Sequence, residues 1–179
     1  MREIEIKVRI SDMRALEEKL RAQNCVLLPP VHQHDTVYSR HGSAEFASAK
    51  EGDVILRIRR ENDKAEFNLK QQKSNEMDNI EYETEIASPD ALHGILGALG
   101  WFPEIEVKKI RRKGTLGAYN VCLDEVEQLG NYMEIEKMAQ EDADPDAVRK
   151  ELYNALEGLG FSRSDEETRG YDTQVHQRH

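Results

Sequence analysis

The sequence predicts an α+β domain built on an antiparallel sheet, on three observations. Period-two alternation of apolar and polar residues dominates the 179-residue chain, three shorter segments show the three-and-four spacing of amphipathic helices, and the two kinds of segment do not alternate strictly. A parallel sheet needs a crossover after nearly every strand; here hairpin-like runs follow one another, so antiparallel pairing is expected.

Taken in order, Ile4, Ile6, Val8 and Ile10 share one side of an opening strand, and Glu3, Glu5, Lys7 and Arg9 share the other. A helix begins at Ser11, a capping residue, and carries Met13, Ala15, Leu16 and Leu20 to about Asn24. Alternating stretches follow at roughly 31–40, 53–61, 64–72 and 79–87, with a longer loop between 39 and 52 and a turn at Glu61-Asn62-Asp63-Lys64. Ser88-Pro89-Asp90 opens a second helix that carries Ala91, Leu92, Ile95, Leu96 and Leu99 and stops at Gly100. Strands return at 104–113, 117–126 and 131–139, with turns at 114–117 and at Leu129-Gly130-Asn131. A third helix follows Asp144-Pro145 and presents Val148, Leu152, Ala155, Leu156 and Leu159 before Gly160. That makes about eight strands and three helices in one domain, residues 1–172, with residues 173–179 expected to form a flexible tail.

Composition narrows the function. No stretch approaches the roughly 20 apolar residues of a membrane span, and alternation from position 2 is unlike a signal peptide. A cytoplasmic location without membrane partners is therefore expected. Cys25 and Cys122 stand in neither metal nor redox spacing. A formal charge of -10 argues against a nucleic-acid partner, because phosphate backbones are held by spread Lys and Arg. Any basic site must be concentrated.

The charged strand faces show such a concentration. Arg57 and Arg59 oppose Leu56 and Ile58; Lys70 opposes Leu69; Lys109 and Arg111 lie two apart; Glu81, Glu83 and Glu85 share one face; and Glu134 and Glu136 oppose Met133 and Ile135. A solvated face accounts for any one of these strands. Segregation across strands, with bases in the middle ones and acids in the first, sixth and late ones, favours a sheet curled around a lumen, with the helices on its apolar outside. Arg57, Arg59, Lys70, Lys109 and Arg111, joined by Lys7 and Arg9, form a cradle for phosphoryl groups. Glu3, Glu5, Asp124, Glu134 and Glu136 offer the hard oxygen ligands that suit Mg2+ or Mn2+. Neither Gly-rich phosphate loop is present, so side chains must do that work.

The ordered set of ExExK (Glu3, Glu5, Lys7), RxR (Arg57, Arg59), the lysine of NLK (Lys70), ExE (Glu81, Glu83, Glu85), KxR (Lys109, Arg111), LDEVEQLG around Asp124 and EIE (Glu134, Glu136) resembles the CYTH superfamily, the triphosphate tunnel metalloenzymes, over about residues 1–140. Tyr171 resembles a tyrosine often found near that family's C-terminus. The resemblance implies a closed eight-stranded antiparallel tunnel in which Glu3, Glu5, Asp124, Glu134 and Glu136 hold one or two Mg2+ or Mn2+ ions. It also implies that Lys7, Arg57, Arg59, Lys70, Lys109 and Arg111 hold a triphosphate, with Glu5, Glu134 and Glu136 as the carboxylates of catalysis. ATP, tripolyphosphate and thiamine triphosphate are the implied substrates, either cyclised to cyclic AMP and pyrophosphate or hydrolysed, and a homodimer is compatible with the family. The loop GSAEFASAKEGDVILRIR and HDTVY (Asp35, Tyr38) look most like class IV adenylyl cyclases. The cyclase pattern usually has a His-Phe pair ahead of ExExK, and this chain starts two residues before Glu3; hydrolysis is therefore expected to outpace cyclisation. The reading from another class is a non-catalytic polyphosphate or nucleotide sensor.

Other clusters carry less. His32 and His34 share a strand face without a matched third zinc ligand. The acids at 141–144 precede a helix start, where negative charge is favourable, and Asp165-Glu166-Glu167 is expected in solvent.

Overall fold

A computed structural model describes residues 2–40 and 50–178. Nine strands form one sheet: β1 (Arg2–Arg9), β2 (Val26–Leu27), β3 (Val31–Ser39), β4 (Val54–Glu61), β5 (Lys64–Asn75), β6 (Asp78–Glu85), β7 (Phe102–Leu116), β8 (Tyr119–Val126) and β9 (Gly130–Ala139). Every pairing is antiparallel. The order β7-β3-β4-β5-β6-β1-β9-β8 closes because β8 returns to β7, so eight strands make a barrel and β2 adds to the edge of β7. Eight strands enclose an interior just wide enough for side chains or one small ligand.

Helices α1 (Met13–Ala22) and α3 (Pro145–Leu159) cover one side of the wall. Their Leu16, Leu20, Val148, Leu152, Leu156 and Leu159 pack on the outward side chains Ile4, Ile6, Val8, Val121, Leu123, Met133 and Ile135. Helix α2 (Pro89–Ala98) lays Leu96 on Tyr38, Leu56 and Ile58. On β1, β4 and β9 the alternation read from the sequence sorts as expected, with Ile4, Ile6, Leu56, Ile58, Met133 and Ile135 outward to the helices and Glu3, Glu5, Lys7, Arg57, Arg59, Glu134 and Glu136 inward.

Several local expectations shift. Asp12, not Ser11, caps α1, its carboxylate accepting from Ala15 N at 3.0 Å. Gly114 and Thr115, expected in a turn, remain in β7 because Leu27 and Val26 pair with them. Strand β9 starts at Gly130, and the tight turn falls on Gln128, whose φ of 68° lies in the left-handed region. The ninth strand, β2, was not legible: two residues before Pro29-Pro30 are too short to show a period, and the prolines, lacking N–H groups, end it. The loop expected between 39 and 52 has residues 41–49 outside the described ones. Glu166, expected in solvent, accepts hydrogen bonds from Arg149 and Tyr153.

The C-terminus differs most. Residues 173–176, expected in a flexible tail, belong to a fourth helix, α4 (Tyr171–His176), in which Tyr171, Thr173, Gln174 and Val175 are buried. Tyr171 and Val175 pack on Val37, Ile105, Val107, Val126, Leu129 and Tyr132. Val37, Val107, Val126 and Tyr132 have the strand parity of the inward residues Asp35, Lys109, Asp124 and Glu134, so α4 caps one end of the barrel. Two apolar anchors in a polar stretch make a weak sequence signal. The same segment also repairs a seam. Strand β6 pairs with β1 only at Arg2, Glu3 and Ile4; further along, Glu167 N donates to Lys7 O at 2.7 Å and Val8 bridges Glu166.

Candidate active site

The barrel encloses a cavity of about 640 Å³. Strand register sets its layers. On β1, β9 and β8 the inward residues run from the open end as Glu3 and Met138, then Glu5, Glu136 and Asn120, then Lys7, Glu134 and Cys122, and last Tyr132 with Asp124. On β7 the matching run is Thr115, Lys113, Arg111 and Lys109, and β3, β4, β5 and β6 complete the wall with Asp35, Arg57, Arg59, Asn68, Lys70 and Glu81.

Near the capped end the charges are tightly paired. Asp35 accepts from Arg59 Nε and Nη2, both at 2.7 Å, and stands 3.8 Å from Arg57 and 3.9 Å from Lys109. Asp124, fully buried, accepts from Arg111 Nε at 2.7 Å and from the Tyr171 hydroxyl at 2.9 Å. Glu134 accepts from the same guanidinium. Tyr171 lies under two ammonium groups, Lys7 Nζ at 4.4 Å and Lys109 Nζ at 4.9 Å from its ring centre, a cation–π arrangement in an enclosed space. Lys7 is 1% exposed and, among the described residues, has no carboxylate within 4.0 Å. Arg57 keeps a buried Nε without a partner. These are cations with capacity to spare, which an enclosed anion would use.

Nearer the open end lie the acids. Carboxylate oxygens of Glu3, Glu5 and Glu136 come within 4.8 Å of one another. Lys70 reaches Glu3 at 3.0 Å and Glu81 at 3.5 Å. Burial, only partly offset by Lys70, pushes Glu3 well above the usual carboxylate range; burial and then Glu134 push Glu5 up to about 7; burial and Glu134 also raise Glu136. Burial works the same way on Glu134, but Arg111, Lys109 and Lys7 outweigh it and hold that carboxyl well below the range. Burial, then neighbouring Arg111, lowers Lys109 to about 8. Three crowded carboxyls that resist ionising form the oxygen set that a hard divalent cation satisfies.

The expected metal set therefore divides. The structure brings Glu3, Glu5 and Glu136 together, whereas Asp124 and Glu134 lie on Arg111 deeper in the tunnel. All six expected phosphate-binding residues, Lys7, Arg57, Arg59, Lys70, Lys109 and Arg111, line the one cavity, as do the carboxylates Glu3, Glu5 and Glu134, Glu136. Of the ExE set, Glu81 lies deepest, held by Asn68 and Lys70; Glu83 reaches the cavity edge and Glu85 is exposed. Two residues that order this site, Asp35 and Tyr171, stand out through the family resemblance and not through strand pattern. Asp35 alternates with Gln33 and Val37, a mixed face, and Tyr171 sits in a polar C-terminal stretch. His32 and His34 lie at an outer groove, with His34 Nε2 at 3.2 Å from Glu106.

A tunnel with this order of charged side chains has known relatives. The CYTH domain model matches residues 1–171. This chain belongs to the CYTH family. A Methanocaldococcus jannaschii protein named as a candidate adenylate cyclase is 28% identical over 167 residues, spanning 92% of this chain and 93% of the relative. Adenylate cyclase CyaB of Aeromonas hydrophila is 28% identical over 172 residues, with 96% and 87% covered. Among solved structures, a Pyrococcus horikoshii OT3 protein superposes with a TM-score of 0.82 at 28% identity, covering 99% of both chains. A Hippeastrum protein named as a candidate adenylyl cyclase, and reported to have a dominant triphosphatase activity, superposes at 0.64 with 22% identity over 99% of this chain and 96% of its own.

Proposed function

We propose that this CYTH protein is a divalent-metal-dependent enzyme that acts on a triphosphate inside its tunnel, either cyclising ATP to cyclic AMP and pyrophosphate or hydrolysing an inorganic or thiamine triphosphate. The observation that carries this reading is the adjacency, in one cavity open at one end, of the Glu3-Glu5-Glu136 carboxylates and the cationic wall of Lys7, Arg57, Arg59, Lys70, Lys109 and Arg111. The adenylate cyclase names of the relatives agree with it, and so does the triphosphatase activity of the Hippeastrum protein, whose likeness here is one of fold.

The cations bind and align the triphosphate, and because they are preset by Asp35, Asp124 and Glu134 they need little reorganisation as charge develops on the transferring group. Arg57, with a free Nε and ion pairs no shorter than 3.7 Å, is the guanidinium best placed to turn toward phosphate. Glu3, Glu5 and Glu136 would hold a divalent ion, Mg2+ or Mn2+, which would supply further neutralisation of phosphate charge. Lys109, lowered to about 8, can give up or take a proton near neutrality. The α4 cap and the helices keep bulk water out of the deep end.

The test is an assay of the full chain with ATP, thiamine triphosphate and tripolyphosphate, each with Mg2+ and Mn2+, reading cyclic AMP and phosphate separately. Turnover lost in chelator and in Glu136→Gln supports the reading. Binding without turnover under every condition would leave a triphosphate sensor. Arg57→Ala is expected to weaken tripolyphosphate binding by about 1.5 to 3 kcal/mol, the worth of hydrogen bonds to a charged group, as read by calorimetry.

A further inference from the structure

We propose that the two-residue strand β2 makes the tunnel mouth a recognition site for the heteroaromatic end of an organic triphosphate, with Val26 and Leu28 as its apolar lip. This rests on the triphosphate reading above and adds to it a direction for the substrate and a basis for selecting it.

Register carries the first step. Val26 pairs with Thr115 and Leu27 with Gly114, and Leu28 N donates to Lys113 O at 2.7 Å. Directly paired residues share a face of the sheet. Lys113 and Thr115 have the parity of Arg111 and Lys109, which face the lumen, so Val26 and Leu28 face the lumen as well, while Leu27 turns outward onto the α1–α3 core. This short strand and the residue after it thus hold two aliphatic side chains, Val26 and Leu28, at the cavity edge, 74% and 57% exposed.

One exposed aliphatic residue is ordinary. Here two adjoin on one face, and Met138 of β9, 42% exposed, borders the same cavity, with Asn120 and Thr115 paired between them on β8 and β7. Apolar surface with a few polar edge groups is the usual lining for a flat heterocycle, which stacks by its faces and hydrogen-bonds by its rim. Inorganic tripolyphosphate has no use for such a lip.

Charge sets the direction. Lys7, Lys109, Arg111 and Arg59 lie toward the capped end, the carboxylates Glu3, Glu5 and Glu136 nearer the mouth, and β2 at the rim. The polyanionic end of a substrate is drawn inward, which leaves its organic end at β2. Strand β2 is also seated tightly: a Cβ on Gly114 would meet Leu27 Cδ2 and Val26 O at 3.0 Å, so a larger residue there would push the strand back by a few tenths of an ångström.

The experiment is a calorimetric titration of the full chain in chelator with ATP, thiamine triphosphate and tripolyphosphate. It uses the wild type, the neutral double variant Val26→Asn/Leu28→Asn, and Gly114→Val, which displaces β2 without changing its side chains. The ratio of organic to inorganic affinity is expected to fall by about tenfold in the double variant, as lost burial of aliphatic surface predicts, and to fall in Gly114→Val too. ATP and thiamine triphosphate, compared in the wild type, tell which ring the lip prefers. An unchanged ratio in the double variant, with tripolyphosphate still bound, overturns the lip alone; so does a wild-type dimer that dissociates in that variant while the ratio holds. Failure of the wild type to bind tripolyphosphate overturns the triphosphate reading and the lip with it.

Discussion

Single side chains in this tunnel are held in charge states that water would not allow, and two of them make its pH behaviour testable. Glu5 is raised to about 7 by burial and by Glu134, with Glu3 and Glu136 raised beside it. Between the ordinary carboxylate value and about 7 the folded protein keeps a proton that the unfolded chain has released, so stability must fall as pH rises through that window. Asp35, Glu81 and Glu134, all lowered, act below the window, and Lys109, lowered to about 8, acts above it. Metal-free protein is therefore expected to melt several degrees lower at pH 8 than at pH 5. Glu5→Gln should flatten that slope and Mn2+ should raise the wild-type melting temperature at pH 8; thermal melts in chelator against Mn2+ measure both. Asp35 tests the opposite sign. It holds Arg59 by two hydrogen bonds and stands near Arg57 and Lys109. Asp35→Asn leaves buried cations uncompensated, which costs about 3 to 5 kcal/mol. Tripolyphosphate should restore more melting temperature to this variant than it adds to the wild type, because it replaces the lost negative charge.

At the scale of elements, α4 contributes more than its six residues suggest. Glu76, in the β5–β6 connection, accepts from Gly170 N at 2.6 Å and Thr173 Oγ1 at 2.9 Å, and so holds the first turn of the helix that carries Tyr171. Tyr171 in turn touches Lys7, Lys109 and Asp124. Removing such a cap costs about 1 kcal/mol. Glu76→Ala is expected to speed amide exchange across 171–176 while the strands keep their protection, as exchange measured by mass spectrometry would show; uniform loss of protection would contradict a local role. The end of α3 shows the same economy, since Gly160 takes a φ of 91° that lets Phe161 N return to Leu156 O.

The whole molecule sets a repulsive outer field against an attractive interior: the net charge is -10, yet seven cations, Lys113 among them, line the lumen beside buried acids. A polyanion approaching from solution meets the field first. Salt screens exposed charge over about 30 Å at 0.01 M and about 8 Å at 0.15 M, but screens an enclosed site much less. The association rate of tripolyphosphate is therefore expected to rise between those salt concentrations, the reverse of a basic surface site, and stopped-flow mixing in chelator reads it. The sequence by itself determined much of this design. Alternation in Glu3-Ile4-Glu5-Ile6-Lys7, Arg57-Ile58-Arg59 and Glu134-Ile135-Glu136 separates an apolar outside from a charged inside, because a strand's side chains must point to opposite faces. It could not tell which charges meet. Five carboxylates of one parity look alike along the chain, yet Glu3, Glu5 and Glu136 converge while Asp124 and Glu134 close on Arg111. Only the tertiary structure decided that, along with the end capped by α4 and the rim extended by β2. Register and strand tilt bring together residues more than a hundred positions apart, and no local pattern encodes where a closing sheet will place them.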